Sequence, residues 1–140
     1  GALTGATPDG RRAGDLLADG SVSPMKGMDR KGPLAVLRSA ARIDQGAYQA
    51  TLLNMKFRPS AMATAADLGK LASMIRTYFR LGGKHVQFNV VDGETLAEAQ
   101  REPEAYRGLV VRVAGYSAYF TMLGKPMQDE IIARTEFGRI

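Results

Sequence analysis

Few residues of this 140-residue chain are placed to do chemistry, and most of those stand near one glycine. In Arg112-Val113-Ala114-Gly115-Tyr116-Ser117-Ala118 a guanidinium, a phenol and a hydroxyl lie close to Gly115. The hydrophobic run Leu109 to Val113 predicts a strand that stops where a side chain is unwelcome, and a strand-ending glycine is the plain structural reading. Ser117 has no neighbouring His and Asp to make it a nucleophile. Arg112 in an apolar strand needs a carboxylate or carbonyl partner if buried, and a structural ion pair is expected. Further upstream, His85, Gln87 and Asn89 alternate with Val86, Phe88 and Val90, so the polar three share one face of a strand. That face either lines a polar lumen or is an exposed sheet face with a lone histidine. His85 is the single histidine, and with no cysteine in the chain nothing builds a metal site around it. Gly82-Gly83-Lys84 is not a phosphate loop, because His85 follows the lysine and the spaced first glycine is missing.

These residues need elements to hold them. The first thirty-odd residues are rich in turn formers, with Pro8-Asp9-Gly10 a turn of clear mechanism: proline presets φ and glycine accepts a positive one. A short helix is predicted from Pro33, with Leu34, Leu37 and Ala41 on one face. Leu52 to Phe57 reads as a strand with Leu53, Met55 and Phe57 to one side. Thr64 predicts an N-cap with Asp67 at N3, and Leu68, Leu71, Ile75, Tyr78 and Phe79 follow at helical spacing until Gly82-Gly83. Lys84 to Val91 is a strand of period two, Thr95 to Arg101 a short helix, and a last helix starts at Pro126 with Asp129 and Glu130 early and Arg134 late. Strand alternating with helix is an α/β order. Only about three strands result, and apolar strands need covering on both faces, so the elements are expected to be part of a barrel or sheet completed by other polypeptide.

Composition bounds the function. At 45% hydrophobic and 24% charged residues, usage is that of a globular domain, and the length fits one. No apolar run approaches the roughly 18 residues of a membrane-spanning helix, so no membrane partner is expected. The absence of cysteine excludes disulfides, thiolate metal sites and a cysteine nucleophile within this chain, and fits a cytoplasmic protein. The net charge of +5 is partly local, with Lys26, Arg30, Lys31, Arg38 and Arg42 against Asp29. No nucleic-acid motif accompanies that cluster, so it reads as a solvated or partner-facing surface. The methionines read as core fillers.

Taken together, Leu109 to Phe120 and Gln128-Asp129-Glu130-Ile131-Ile132-Ala133-Arg134-Thr135-Glu136 resemble the C-terminal signature of the glycyl radical enzymes. The resemblance extends upstream in order, through Thr7-Pro8-Asp9-Gly10-Arg11, Leu17-Ala18-Asp19-Gly20, Ser23-Pro24, Gly27-Met28-Asp29, Gly32 to Leu37, Leu53 to Phe57, His85 to Val91, Ala99-Gln100, Pro103-Glu104 and Tyr106. It covers nearly the whole chain and leans toward the dehydratase and lyase branch: dehydratases, C–X lyases, decarboxylases and fumarate-adding enzymes.

The resemblance implies one glycyl radical domain over 1–140: a turn-rich loop region (1–33), helices and strands of an α/β barrel (34–106), and a glycine loop with a C-terminal helix (107–140). It implies Gly115 as the site of a stable radical, with Arg112, Tyr116, Ser117, Gln87 and Asn89 around it, Tyr116, Tyr119 and Phe120 forming a dry wall, and no metal. A glycine Cα suits a radical because the unpaired electron spreads over a nitrogen donor and a carbonyl acceptor, and no Cβ obstructs a planar centre. The family pattern implies installation by a radical-SAM activating enzyme, with no bound cofactor, followed by oxidation of a cysteine to a thiyl that attacks a small-molecule substrate. With no cysteine here, that thiyl must lie on a large partner chain or an upstream region, and this chain cannot turn over substrate alone. An oligomeric assembly is expected, without nucleic acid. A non-catalytic stabilising or spare-part subunit of such an enzyme remains the alternative.

Overall fold

The computed structural model describes residues 1–140. Residues 1–32 form turns and loops without helix or strand, and four α-helices and five β-strands follow, with short 3-10 turns between them. These are α1 (Pro33–Ala40), β1 (Leu52–Phe57), α2 (Ala65–Arg80), β2 (His85–Val90), α3 (Gly93–Arg101), β3 (Val110–Arg112), β4 (Ser117–Tyr119), α4 (Lys125–Ile132) and β5 (Glu136–Phe137).

β1 and β2 pair in parallel along their full lengths, from Leu52 opposite His85 to Phe57 opposite Val90. A parallel pair needs a crossover, and α2 supplies it. Thr64 caps α2 as expected, its hydroxyl accepting from the Asp67 amide at 3.1 Å. The helix ends at Arg80, and Gly82 follows at φ 97°. Gly83 is fixed by packing: a Cβ there would meet the Tyr78 ring at 2.4 Å. β5, which the sequence does not announce, pairs in parallel with the other edge of β1 and gives the order β2-β1-β5. At two residues it is too short for periodicity to register.

The two faces of this sheet differ in kind. Leu53, Met55 and Phe57 pack with Val36, Leu37 and Ala40 of α1 and Met74 and Tyr78 of α2, with Val86 and Phe88 alongside. The opposite face carries Asn54, Lys56, Gln87 and Asn89, and all four are buried. Gln87 and Asn89 therefore line an interior polar surface, whereas His85 is exposed at the head of β2. Helix faces shift slightly from expectation: Leu34, Leu68 and Phe79 are exposed, while Val36 and Met74 take the buried places.

A second core gathers Val91, Leu96 and Ala99 from the β2–α3 segment, Val111, Val113 and Phe120 from the β3–β4 region, and Ile131 of α4. β3 and β4 form an antiparallel hairpin apart from the main sheet. Gly115 is therefore at a hairpin turn, so the segment expected as a glycine loop also holds the strand β4. α4 begins one residue before Pro126, and Arg134 lies just past its end.

The chain exposes 8780 Å². A compact monomer of this mass exposes about 7,100 Å² by the usual size scaling. The excess includes large apolar side chains such as Leu16, Leu17, Val110, Tyr119 and Met122. Such a surface belongs to a piece packed against further polypeptide. No helix is long and apolar enough to cross a membrane.

Candidate glycyl radical site

Gly115 is at φ 78°, in the left-handed region that glycine adopts without strain. The turn it makes is closed by the Val113 amide, which donates to the Tyr116 carbonyl at 2.9 Å. The hairpin is held to the main sheet by side chains and not by a main-chain ladder. Asn89 imitates a neighbouring strand, its Oδ1 accepting from the Arg112 amide and its Nδ2 donating to the Arg112 carbonyl, each at 2.7 Å.

Gln87 reaches the glycine itself. Its Oε1 accepts from the Gly115 amide at 3.2 Å and from Arg112 Nε at 2.8 Å. The other end of the Arg112 guanidinium donates to the Gly115 carbonyl at 3.1 Å and to Ser117 Oγ at 3.2 Å. Gln87 Nε2 donates to Asn54 Oδ1, and Asn54 Nδ2 to the Asp19 carbonyl at 2.7 Å. That relay fixes which end of the Gln87 amide faces the glycine.

Gln87, Asn89, Arg112 and Ser117 thus come together around Gly115. The ion pair expected for Arg112 is absent; amide carbonyls and a hydroxyl accept its hydrogen bonds, because β2 offers amides and no carboxylate on that face. The dry aromatic wall is not formed by this chain. Tyr116 and Tyr119 are more than half exposed, with only Phe120 buried, because the hairpin turn projects away from both cores. Gly115 is itself exposed here.

Three further residues adjoin this arrangement, Arg134, Asn54 and Lys56, and the sequence did not single them out. Arg134 is nearly buried; it donates to the carbonyls of Arg112 at 3.2 Å and Val113 at 2.9 Å. It also pairs with Asp19 and Glu130, each at 2.9 Å. Burial pushes the Asp19 carboxyl up, with Arg134 pulling the other way. Lys56 closes the lower end of the polar face, donating to the Ile132 carbonyl at 3.0 Å at the end of α4 and lying 3.7 Å from Glu136. Its burial lowers the ammonium below the usual lysine range. Asn54 and Lys56 did leave a signal: two polar residues at period two inside Leu52-Leu53-Asn54-Met55-Lys56-Phe57 mark a second, polar face. Arg134 left none, since a basic residue near a helix C-terminus is ordinary. No group of three or more His, Asp or Glu side chains converges as a metal site.

Comparison with known proteins gives the family. A family model described as Glycine radical matches residues 18–121, a span that includes Gly115. The indoleacetate decarboxylase of Tractidigestivibacter scatoligenes is 52% identical over 137 residues, covering 98% of this chain and 16% of that protein. The trans-4-hydroxy-L-proline dehydratase of Clostridioides difficile is 46% identical over 136 residues, covering 97% of this chain and 17% of that protein. The glycerol-bound B12-independent glycerol dehydratase from Clostridium butyricum superimposes with a TM-score of 0.91 at 53% identity, covering 99% of this chain and 18% of that one. The chain thus spans about one sixth of the length of the relatives it matches. It belongs to the glycyl radical enzyme family, and its fold is that of the C-terminal portion of the family's α/β barrel.

Proposed function

We propose that Gly115 stores the stable radical of a glycyl radical enzyme of dehydratase, lyase, decarboxylase or fumarate-adding type. The observation that carries this reading is the environment of Gly115: a residue without Cβ at a hairpin turn, with both its amide N–H and its carbonyl held by side chains. On activation one Cα–H bond of Gly115 breaks homolytically. The hydrogen atom passes to a carbon radical delivered by a radical-SAM activating enzyme, and the Cα keeps the remaining electron. In turnover the Cα takes a hydrogen atom back from a cysteine S–H, leaving a thiyl that attacks the substrate. This chain has no cysteine. The thiyl therefore comes from a partner chain or upstream region, and this chain is inactive alone. The assembly is assigned to the cytoplasm of an anaerobic cell and to an oligomer.

Activation requires Gly115 to reach the activating enzyme. The hairpin shares no ladder with the main sheet, so it can leave by breaking side-chain bonds to Gln87 and Asn89 and the Arg134–Asp19 ion pair. Val111, Val113 and Phe120 pack on α3 and α4, so the moving unit includes those helices. Equal hydrogen-exchange protection around Gly115 with and without the activating enzyme would argue against this motion.

The test is anaerobic incubation with the cognate activating enzyme and S-adenosylmethionine. The expected result is an EPR doublet that collapses to a singlet with α-deuterated glycine and is lost in Gly115→Ala. No doublet, with an activating enzyme proven on another substrate, leaves a non-catalytic stabilising or spare-part subunit.

A further inference from the structure

Arg112 and Gln87 do more than hold the hairpin. From Gly115 N–H the hydrogen bonds run to Gln87 Oε1 at 3.2 Å, from there to Arg112 Nε at 2.8 Å, across the guanidinium, and from Nη2 to the Gly115 carbonyl at 3.1 Å. The ring closes on the same residue it starts from, with the glycine Cα between its two ends. Each end has its own polarity. An acceptor on the N–H pushes electron density onto the nitrogen, and a cationic donor on the carbonyl draws density toward the oxygen.

An unpaired electron on Cα is stabilised by a donor on one side and an acceptor on the other. Both bonds strengthen that contrast. Resting on the assignment of the radical to Gly115, we infer that Arg112 and Gln87 form an electronic clamp that delocalises the radical and favours it over the thiyl with which it exchanges. Hydrogen balance is unchanged: one hydrogen atom moves between Cα and the cysteine sulfur, and the clamp shifts only where it rests. Both residues are positioning groups for this step, because they touch the reacting residue's amides and not the transferred hydrogen.

The rest of the site supports the clamp's geometry. Gln87 is buried, and its Nε2 is engaged by Asn54, so its oxygen is left to face Gly115. The Arg112 backbone is gripped on both sides by Asn89, and Ser117 Oγ fixes the guanidinium edge. Delocalisation requires the two amide planes to turn toward a common plane through Cα. From φ 78° only a residue without Cβ makes that rotation freely, and the guanidinium sits on a side chain long enough to follow the carbonyl.

The experiment uses the activated enzyme that contains this chain, as one polypeptide or with its partner. With 15N-arginine incorporated, electron–nuclear double resonance on the wild-type radical is expected to show an arginine nitrogen coupling that disappears in Arg112→Lys. In Arg112→Gln and Gln87→Leu the doublet splitting should increase as spin retreats to Cα, and steady-state radical should fall about tenfold or more, as loss of a charge-assisted hydrogen bond implies. Arg112→Lys should recover part of the yield. A merely structural role does not change the splitting of the molecules that retain the radical. Absence of an arginine coupling in the wild type, or splittings in both variants equal to the wild type, overturns the clamp while leaving the Gly115 assignment intact. Absence of any wild-type doublet overturns that assignment instead. If a variant fails to fold, the labelled wild-type spectrum still decides.

Discussion

Replacing Arg134 should free the glycine hairpin from the sheet before it unfolds the domain. The side chain is 8% exposed, donates to the carbonyls of Arg112 and Val113, and faces Asp19 and Glu130. Each charge-assisted bond to a carbonyl contributes about 1.5–3 kcal/mol. Removing one partner of a largely buried ion pair costs about 3–5 kcal/mol in total, and these terms overlap because one guanidinium serves them all. Arg134→Met should therefore weaken hairpin docking by about 3–5 kcal/mol. Arg134→Lys, which keeps the charge and loses the fork, should cost roughly half as much. The informative amides are those of Arg112 and Gly115, because their acceptors are side chains of β2. In Arg134→Met both should exchange at least about a hundredfold faster, which is the factor that 3 kcal/mol implies. The amides shared between β1 and β2 should hold their protection. Unchanged exchange at Arg112 and Gly115 would refute the reasoning. An equal acceleration across β1 and β2 would mean that Arg134 clamps the whole domain and not the hairpin.

Other outcomes follow from the same structure. Gly115→Ala meets no steric obstacle, yet φ 78° imposes a left-handed backbone on alanine, so a urea titration should register a loss of about 1–2 kcal/mol with unchanged far-UV circular dichroism. Thr64→Ala removes the cap of α2 and should lower stability by about 1 kcal/mol in the same titration. Burial lowers Lys56 below 10.5, so between its folded value and 10.5 the unfolded chain binds the proton more tightly than the folded one. Its contribution to stability should therefore rise with pH across that window, and Lys56→Met should abolish the rise in urea midpoints measured along a pH series.

Much of the fold was legible because its signals are local. The period-two runs of β1 and β2, the Thr64 cap and the Gly82 stop each sit within one element and are dictated by backbone and burial chemistry. The position of Gly115 was legible for the same reason, through a strand that ends on it. The partners around it were only half legible. Gln87 and Asn89 share a strand face, but periodicity does not say which face is inside, and here the polar face is buried as well as the apolar one. Arg112 was expected to find a carboxylate and found amides, since what faces it is set by the packing of the hairpin on β2, between residues 25 positions apart. Arg134 and Asp19 meet across more than a hundred residues, and β5 depends on that same closure of the chain. Contacts of this range are made by tertiary packing and leave no pattern in either segment alone.

An EPR doublet says that a glycine carries the radical; it does not say which of the 16. The position is read by exposing the activated enzyme to O2 and weighing the products, since dioxygen adds to the radical carbon and cuts the backbone there. Cleavage at Gly115, releasing residues 116–140 and absent in Gly115→Ala, is the predicted result. A doublet accompanied by cleavage at another glycine, or by an intact chain, would contradict the assignment of the radical to Gly115.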